Sequence, residues 1–187
     1  MKKRIVRRSK ETEIEITIGR SAERGLSRVQ VTTTLPFFDH MLEALARYAG
    51  LDLVLRAKGD LSHHVMEDVA IALGRAIRSV TPDSAARYGE RTIPMDDALV
   101  QAVIDVGGRS YFEGELPNRL YTHVLRSLAD ALGATIHVRV LRGKDRHHIT
   151  EAAFKATGLA LRQALADGGG EVFSTKGSVE LVVEDVP

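Results

Sequence analysis

Six of the seven histidines in the sequence belong to one pattern that occurs twice. In each copy a lead histidine precedes a glycine by ten positions, and a His-His-x-x-Glu motif follows further along the chain. The first copy consists of His40, Gly50, His63, His64 and Glu67, and the second of His123, Gly133, His147, His148 and Glu151. Neutral imidazoles and carboxylates are ligands that Zn, Mn, Fe and Ni accept in proteins. The repeat therefore indicates a duplicated metal site.

The spacing inside each motif favours a centre that holds two ions. On a helix, the histidine and the glutamate four residues apart share a face and can bind one ion. The adjacent histidine diverges by roughly 100° around the helix and suits a neighbouring ion. If a pseudo-two-fold axis relates the halves, the ligand sets are His63, Glu67, His123 and His148 for one ion and His147, Glu151, His40 and His64 for the other. A six-coordinate ion such as Mn²⁺ would then keep open positions for water or substrate, as catalytic sites do.

A single His-His-x-x-Glu motif at a helix start is more often a pair of exposed capping histidines than a ligand set. Two copies in register favour the ligand set. The seventh histidine, His137, serves as a control, because its counterpart in the first copy is Val54 in an apolar strand. We predict that His137 is structural and binds no metal.

The elements that must position these residues alternate between strands and helices. Apolar alternation predicts strands within 13–34, with a turn from Gly19 to Gly25. Helical spacing predicts a helix over about 40–49, capped by Asp39, and further helices over 63–80, 120–132 and 147–166. Further strands are expected over 51–57, 99–106, 111–116 and 134–141. This order predicts an α+β fold with helices packed against sheets, built from a first half over 1–90 and a second over 91–187 that together form one compact domain.

Composition limits the function. The 187 residues include 26 Lys and Arg against 25 Asp and Glu, so a formal net charge of +1 gives no electrostatic footprint for nucleic acid. No cysteine is present, which excludes disulfides, thiolate metal sites and a catalytic thiol. The sequence has no apolar run near the roughly 18 residues of a membrane span, and its N-terminus lacks the apolar core of a secretory signal. We expect a cytoplasmic protein that binds neither membranes nor nucleic acid.

The motifs closely resemble the imidazoleglycerol-phosphate dehydratase family over almost the whole chain. The resemblance is carried by Lys10-Glu11-Thr12, Phe38-Asp39-His40-Met41-Leu42, Lys58-Gly59-Asp60, His63-His64 with Glu67-Asp68, Arg87-Tyr88-Gly89, Gly108-Arg109, His147-His148-Ile149-x-Glu151-Ala152-x-Phe154-Lys155 and Ser174-Thr175-Lys176-Gly177. It implies removal of water from D-erythro-imidazole glycerol phosphate to give imidazole acetol phosphate, in histidine biosynthesis. It also implies two manganese ions per active site, halves that resemble the second domain of ribosomal protein S5, and shells of twenty-four identical subunits with active sites completed between chains.

Carried over position by position, the resemblance assigns further residues. The residues that it places in the phosphate pocket are Arg87, Arg109, Ser174, Thr175 and Lys176. Arginine forks and a lysine suit a phosphate dianion. Lys155 lines the site beside them, and Glu11 matches a glutamate of the family's active site.

The resemblance also implies a mechanism. The C–H bond to be broken lies on a carbinol carbon that has no neighbouring carbonyl. Bound between two cations, the substrate's imidazole would be favoured as imidazolate, which can expel hydroxide and leave a diazafulvene. A carboxylate, for which Glu11 and Glu151 are candidates, would take the remaining proton, and the enol would collapse to the ketone.

The chain departs from the family's pattern around the lead helices. It has Ala44 and Tyr48 where the family often has Gln and His, and Thr122 where the family has Glu. The loop before the first His-His pair is shorter and lacks two acidic residues. We expect these differences to affect substrate contacts or ligand orientation and to leave the metal ligands intact.

Two other functions fit some of the same features. Paired metals and basic residues would also suit a hydrolase that acts on a phosphorylated small molecule. An RNA-binding module is suggested by the S5-like halves and the basic stretch from Lys2 to Lys10, although the near-zero net charge and few aromatic residues count against it.

Overall fold

The computed structural model describes residues 2–21 and 27–168 of the chain. In that part it contains eight strands and four helices. In chain order they are β1 (Lys2–Arg8), β2 (Thr12–Arg20), β3 (Val29–Thr32), α1 (Pro36–Ala49), β4 (Leu51–Gly59), α2 (Ser62–Val80), β5 (Tyr88–Met95), β6 (Ala98–Asp105), β7 (Tyr111–Glu113), α3 (Arg119–Leu132), β8 (Thr135–Arg142) and α4 (Arg146–Ala164). Within the described ranges, no helix has the length and apolar character needed to cross a membrane.

The strands form two four-stranded sheets with the same internal order. The first sheet is ordered β1-β2-β4-β3 and the second β5-β6-β8-β7. In each sheet the first two pairings are antiparallel and the last is parallel. The predicted α+β class is confirmed, and the shared order agrees with two duplicated halves. Because β5 begins at Tyr88, the second sheet starts before residue 91, where the sequence places the start of the second half.

The four helices lie between the two sheets. Helices α1 and α2 contact the first sheet, and α3 and α4 contact the second. Alternate side chains of the strands face the helices, so that Ile14, Ile16 and Ile18 of β2 are fully buried. Helix α2 packs on α3, and α1 packs on α4. Each of these two helix interfaces therefore joins one half of the chain to the other.

A glycine stands at each helix interface. A Cβ added at Gly74 of α2 would lie 2.7 Å from the backbone oxygen of Leu128 in α3, and one at Gly158 of α4 would lie 2.6 Å from that of Leu45 in α1. These distances leave no room for a side chain, so both positions require glycine. Each glycine follows its motif's glutamate by seven residues. The close approach brings the preceding turns of the paired helices within side-chain reach of each other.

The sequence does not predict β1 or β5. Strand β1 is rich in charged residues, which do not give the apolar alternation of a half-buried strand. It nevertheless pairs along its length with β2, where Arg4 lies 2.9 Å from Glu15 and Arg8 lies 3.3 Å from Glu13. Much of the basic stretch that suggests RNA binding is thus paired with acidic side chains. Strand β5 occupies the region where the sequence places the junction between the halves.

Several predicted boundaries are wrong. The strand expected over 111–116 is β7, which ends at Glu113, and the helix expected over 147–166 ends at Ala164. Helix α1 begins at Pro36 and not at residue 40, because proline has no N–H to satisfy and suits the first helical position. Asp39 lies inside the first turn and does not cap the helix; its carboxylate accepts hydrogen bonds from the backbone N–H and hydroxyl of Thr33. Strand β2 continues through Gly19 to Arg20, where a turn is predicted.

Candidate metal centre

The first cluster of candidate ligands lies at the α2–α3 interface. His63 is the second residue of α2, Glu67 follows one turn later, and His123 is the fifth residue of α3. Glu67 Oε2 lies 3.4 Å from His63 Nε2, and Glu67 Oε1 lies 3.4 Å from His123 Nε2. The two imidazole rings stack with centroids 5.5 Å apart. Ligand atoms of all three residues lie within 4.8 Å of one another, which is close enough to hold one metal ion.

His123 gives a direct test of whether this cluster fits a metal. Its Nε2 atom is buried and has no hydrogen-bond partner among the described residues. Leaving a buried polar atom unsatisfied costs about 1–3 kcal/mol, so such atoms in native proteins need an explanation. An ion shared with His63 and Glu67 would supply the missing partner. Two imidazoles and a carboxylate therefore fit a divalent transition metal.

The second cluster lies at the α1–α4 interface. His40 is the fifth residue of α1, His147 is the second of α4, and Glu151 follows one turn later. Glu151 Oε2 lies 3.3 Å from His40 Nε2 and 3.1 Å from His147 Nε2. These are the same helix positions as in the first cluster. Each cluster thus takes a His-Glu pair from one half of the chain and a lead histidine from the other.

Lys155 distinguishes the second cluster from the first. Its Nζ atom lies 2.8 Å from Glu151 Oε1 and 5.8 Å from the centre of the Tyr48 ring. Burial raises the pKa of Glu151, but hydrogen bonds from Lys155 and His40 lower it by more, so the net pKa is lowered and Glu151 is a carboxylate. Tyr48, one of the departures from the family's pattern, thus contacts the lysine that holds a candidate metal ligand.

His64 and His148 do not join either cluster within the described residues of one chain. His64 Nδ1 lies 2.8 Å from Asp60 Oδ1, and His148 Nδ1 lies 2.8 Å from Asp97 Oδ1. These hydrogen bonds raise the pKa of both histidines. The same bond from His148, with two backbone N–H groups, lowers the pKa of Asp97 to about 2. Each ligand set predicted from pseudo-symmetry has four residues, and one chain brings three of them together. The fourth, His148 in the first set and His64 in the second, lies apart from its cluster.

Sequence reasoning misses the carboxylates that contact these two histidines. Asp60 stands four residues before His64. This spacing suits a contact across one helical turn and could have predicted the pair. Asp97 lies 51 residues before His148, so only the fold brings the two together. A carboxylate on Nδ1 fixes the tautomer and leaves Nε2 as the metal-binding atom. In this chain, His148 Nε2 lies 3.2 Å from Asp96 Oδ2.

The candidate phosphate residues are only partly described. Ser174, Thr175 and Lys176 lie outside the described residues. Arg87, which has a positive φ of 73°, forms a two-point hydrogen bond with Asp105, with distances of 2.8 and 3.0 Å. This pairing raises the pKa of Arg87 and lowers that of Asp105.

Arg109 and Glu11 are both exposed. The backbone oxygen of Arg109 accepts a hydrogen bond from the hydroxyl of Thr135 at 2.7 Å, which ties its loop to β8. Glu11 lies in the link between β1 and β2, and its Oε2 is 4.0 Å from His64 Nδ1. Glu11 is therefore a candidate outside the clusters that lies beside His64, one of the histidines predicted to bind metal.

His137 lies on β8, away from both clusters. Its side chain is exposed, and its ring centroid is 5.7 Å from that of Tyr111. It belongs to no group of candidate ligands among the described residues. Its position is that of a residue on the outer face of a sheet.

Fold and clusters together define a class of protein: a duplicated α+β chain whose helix interfaces hold two equivalent histidine–carboxylate clusters. Comparisons with known proteins identify the family. A family model described as imidazoleglycerol-phosphate dehydratase matches residues 33–161. An imidazoleglycerol-phosphate dehydratase of Pyrobaculum aerophilum is 45% identical, covering 92% of this chain and 97% of the relative. One from Anaeromyxobacter sp. (strain K) is 41% identical, covering 94% and 90%.

Solved structures agree with the sequence relatives. A crystal structure of the enzyme from Pyrococcus furiosus has a TM-score of 0.82 and 38% identity, covering 94% of this chain and all of the other. One from Staphylococcus aureus has a TM-score of 0.77 and 31% identity, covering 89% and 99%. The chain belongs to the imidazoleglycerol-phosphate dehydratase family, as its motifs predict. It is a hydro-lyase, an enzyme that removes water, of histidine biosynthesis.

Proposed function

We propose that this hydro-lyase removes water from D-erythro-imidazole glycerol phosphate to give imidazole acetol phosphate, with two Mn²⁺ ions per active site. The observation that carries the proposal is the cluster of His63, Glu67 and His123, whose ligand atoms lie within 4.8 Å of one another and include the unsatisfied Nε2 atom of His123. The contacts of Glu151 with His40 and His147, at equivalent helix positions, support a second ion. The substrate follows from the printed names of the relatives. A cytoplasmic location is part of the same proposal.

The ligands of the two ions would be His63, Glu67 and His123 on one side and His40, His147 and Glu151 on the other. When bound, such ions stabilise negative charge on an imidazole ring, which is the part of the substrate that must help its hydroxyl to leave. Glu67 and Glu151 would each help to direct two imidazole Nε2 atoms towards the position of the ion, since each carboxylate contacts two of these atoms.

The two carboxylates that are candidates for proton transfer have different surroundings. Glu151 is buried, with one oxygen on Lys155 and the other between two histidines, so its oxygens are already engaged. Glu11 is exposed and lies beside His64. We therefore assign removal of the proton from carbon to Glu11 and a ligand role to Glu151. Lys155 would hold Glu151 in place and present its charge to the substrate.

We further propose that Arg87 and Arg109 bind the substrate phosphate with Ser174, Thr175 and Lys176. Asp105 holds the Arg87 guanidinium in a fixed plane, and a fixed plane suits two-point recognition of phosphate oxygens. The expected sign of a phosphate role is a raised KM in Arg109→Ala with a smaller change in kcat. An unchanged KM would remove Arg109 from the pocket.

The assembly we propose is a twenty-four-subunit shell with active sites shared between chains. His64 and His148 support sharing, because each is oriented by a carboxylate but joins no cluster of its own chain in the described part. We expect inactive His123→Ala and His148→Ala proteins to regain activity when dissociated, mixed and reassembled, because a mixed site can take each histidine from the intact partner. Mixtures that stay inactive would indicate sites built within one chain.

The test of the reaction is a dehydratase assay on chelated protein with imidazole glycerol phosphate, followed by separate addition of Mn²⁺, Zn²⁺ and Mg²⁺. We expect formation of the ketone only after a metal is returned, most strongly with Mn²⁺. Full activity without metal would overturn the two-ion proposal. Release of inorganic phosphate without ketone would instead indicate a hydrolase.

A further inference from the structure

The two clusters differ at the residue that follows each glutamate by one helical turn. That residue is Ile71 after Glu67 in α2 and Lys155 after Glu151 in α4. We propose that Lys155 makes the Glu151 cluster the weaker of two unequal divalent-cation sites, so that the Glu67 cluster fills first and releases its ion last. This inference rests on the proposed two-metal centre.

The carboxylate oxygens are distributed differently in the two clusters. Glu67 directs Oε2 to His63 and Oε1 to His123, so both of its oxygens face candidate ligands. Glu151 directs only Oε2 to its histidines, while Oε1 contacts Lys155 at 2.8 Å. Glu67 can therefore offer an ion both oxygens, whereas Glu151 can offer one unless the lysine moves.

Charge acts in the same direction. In the part of the chain that the structure describes, only histidines lie within salt-bridge distance of Glu67. The Glu151–Lys155 pair has no net charge, so it attracts a divalent cation less than a lone carboxylate does. A fixed ammonium beside the cluster also repels the cation directly.

Lys155 has little freedom to leave this position. Its side chain is 20% exposed, and its Nζ lies 3.7 Å from the sulfur of Met95 and 5.8 Å from the centre of the Tyr48 ring. A cation over an aromatic face is favourably placed, which adds to the hold of Glu151. The inequality between the sites is therefore built into the packing around α4.

The test is a titration of the chelated full-length protein with Mn²⁺ alone, with free Mn²⁺ measured by electron paramagnetic resonance. We expect two ions per chain, with dissociation constants that differ by about tenfold or more. Glu67→Gln should remove the tighter class and Glu151→Gln the weaker one. A single class, or the reverse assignment, would overturn the inference, whereas no Mn²⁺ binding at all would overturn the proposed metal centre itself.

A matched pair of substitutions exchanges the distinguishing residue. Lys155→Ile gives α4 the residue of α2 and should tighten the weaker class by about tenfold, so that the two classes merge. Ile71→Lys gives α2 the residue of α4 and should weaken the tighter class. Because Ile71 is partly exposed, this second variant can accommodate a lysine even if Lys155→Ile fails to fold. Dissociation constants unchanged in Ile71→Lys would contradict the proposal.

Discussion

The α2–α3 and α1–α4 interfaces carry the same candidate ligands at the same helix positions but in different surroundings. The side chain of Glu67 is 36% exposed and, among the described residues, has only histidines within salt-bridge distance, whereas that of Glu151 is 7% exposed and is bound by Lys155. The residue types and their helix positions are thus duplicated, and the electrostatic environment is not. The comparison teaches that two sites of one repeat can share their ligands and still differ in affinity, because the next turn of the helix sets the local charge.

The residues after the two glutamates extend this contrast. Asp68 in α2 is buried and accepts hydrogen bonds from Arg7 of β1 and the hydroxyl of Thr12 in β2. Its counterpart in α4 is Ala152, which is fully buried and apolar. At this helix position α2 is fixed to its sheet by a polar network, whereas α4 is packed by an apolar side chain.

Loss of a lead histidine should have the largest effect and should test whether both clusters are needed. We expect His40→Ala and His123→Ala each to remove one ion per chain and to lower kcat by about a thousandfold or more, because each leaves its cluster with two ligands. Metal content and the rate of ketone formation measure this. His137→Ala is the control and should change neither. Full activity in either lead-histidine variant would show that one cluster is sufficient.

Alanine at the two interface glycines should test whether the interfaces are equally tight. We expect Gly74→Ala and Gly158→Ala each to lower the free energy of unfolding by about 3 kcal/mol, because the added methyl meets backbone of the facing helix. Urea denaturation at a fixed protein concentration measures the change. Arg75→Ala, on the exposed face of α2, should stay within about 0.5 kcal/mol. An unequal cost at the two glycines would reveal that one interface can relax.

Removal of the carboxylates that contact His64 Nδ1 and His148 Nδ1 should test whether the two halves of the chain are also equivalent outside the clusters. We expect Asp60→Asn and Asp97→Asn each to weaken Mn²⁺ binding by about 10- to 100-fold, because His64 and His148 lose the partners that fix their tautomers. Calorimetric titration of chelated protein gives the constants. Binding as in the unaltered protein would indicate that these two histidines are not ligands.

Disruption of the polar network around Asp68 should have the smallest effect, a loss of stability that depends on pH. Burial raises the pKa of Asp68, but hydrogen bonds from Arg7 and Thr12 lower it by more, so its net pKa lies below the ordinary value of 3.8. The stabilisation is therefore complete above that value and is lost as the pH falls through the lowered pKa. We expect Asp68→Asn to cost about 1 kcal/mol of unfolding free energy at pH 7.

The difference between Asp68→Asn and the unaltered protein should shrink below about pH 4, and equilibrium unfolding at several pH values measures it. Glu13→Gln is the control, since Glu13 is half-exposed on the outer face of the first sheet and should change stability little. A penalty that stays constant into acid would mean that the charge of Asp68 contributes nothing to stability.

Much of the site is predictable from the sequence because helical periodicity is local. The spacing of His63 and Glu67 predicts a shared helix face, and the repeat predicts the contribution of both halves to each cluster. The fold class follows from the alternation of predicted strands and helices along the chain. Strand β1 could not be predicted, because both of its faces carry charged residues and apolar residues do not alternate with polar ones. The contact of Asp97 with His148 could not be predicted, since it joins residues 51 positions apart.

The crossed origin of the candidate ligands bears on the ancestry of the chain. Because each cluster draws its His-Glu pair from one half and its lead histidine from the other, neither half contains a cluster by itself. Two copies of a single half, packed as α2 packs on α3, would form two identical clusters about a true two-fold axis. Fusion of the copies into one chain removes that symmetry, because a substitution then changes one glutamate helix and not the other. Lys155 opposite Ile71 is a difference that a dimer of two identical halves could not hold.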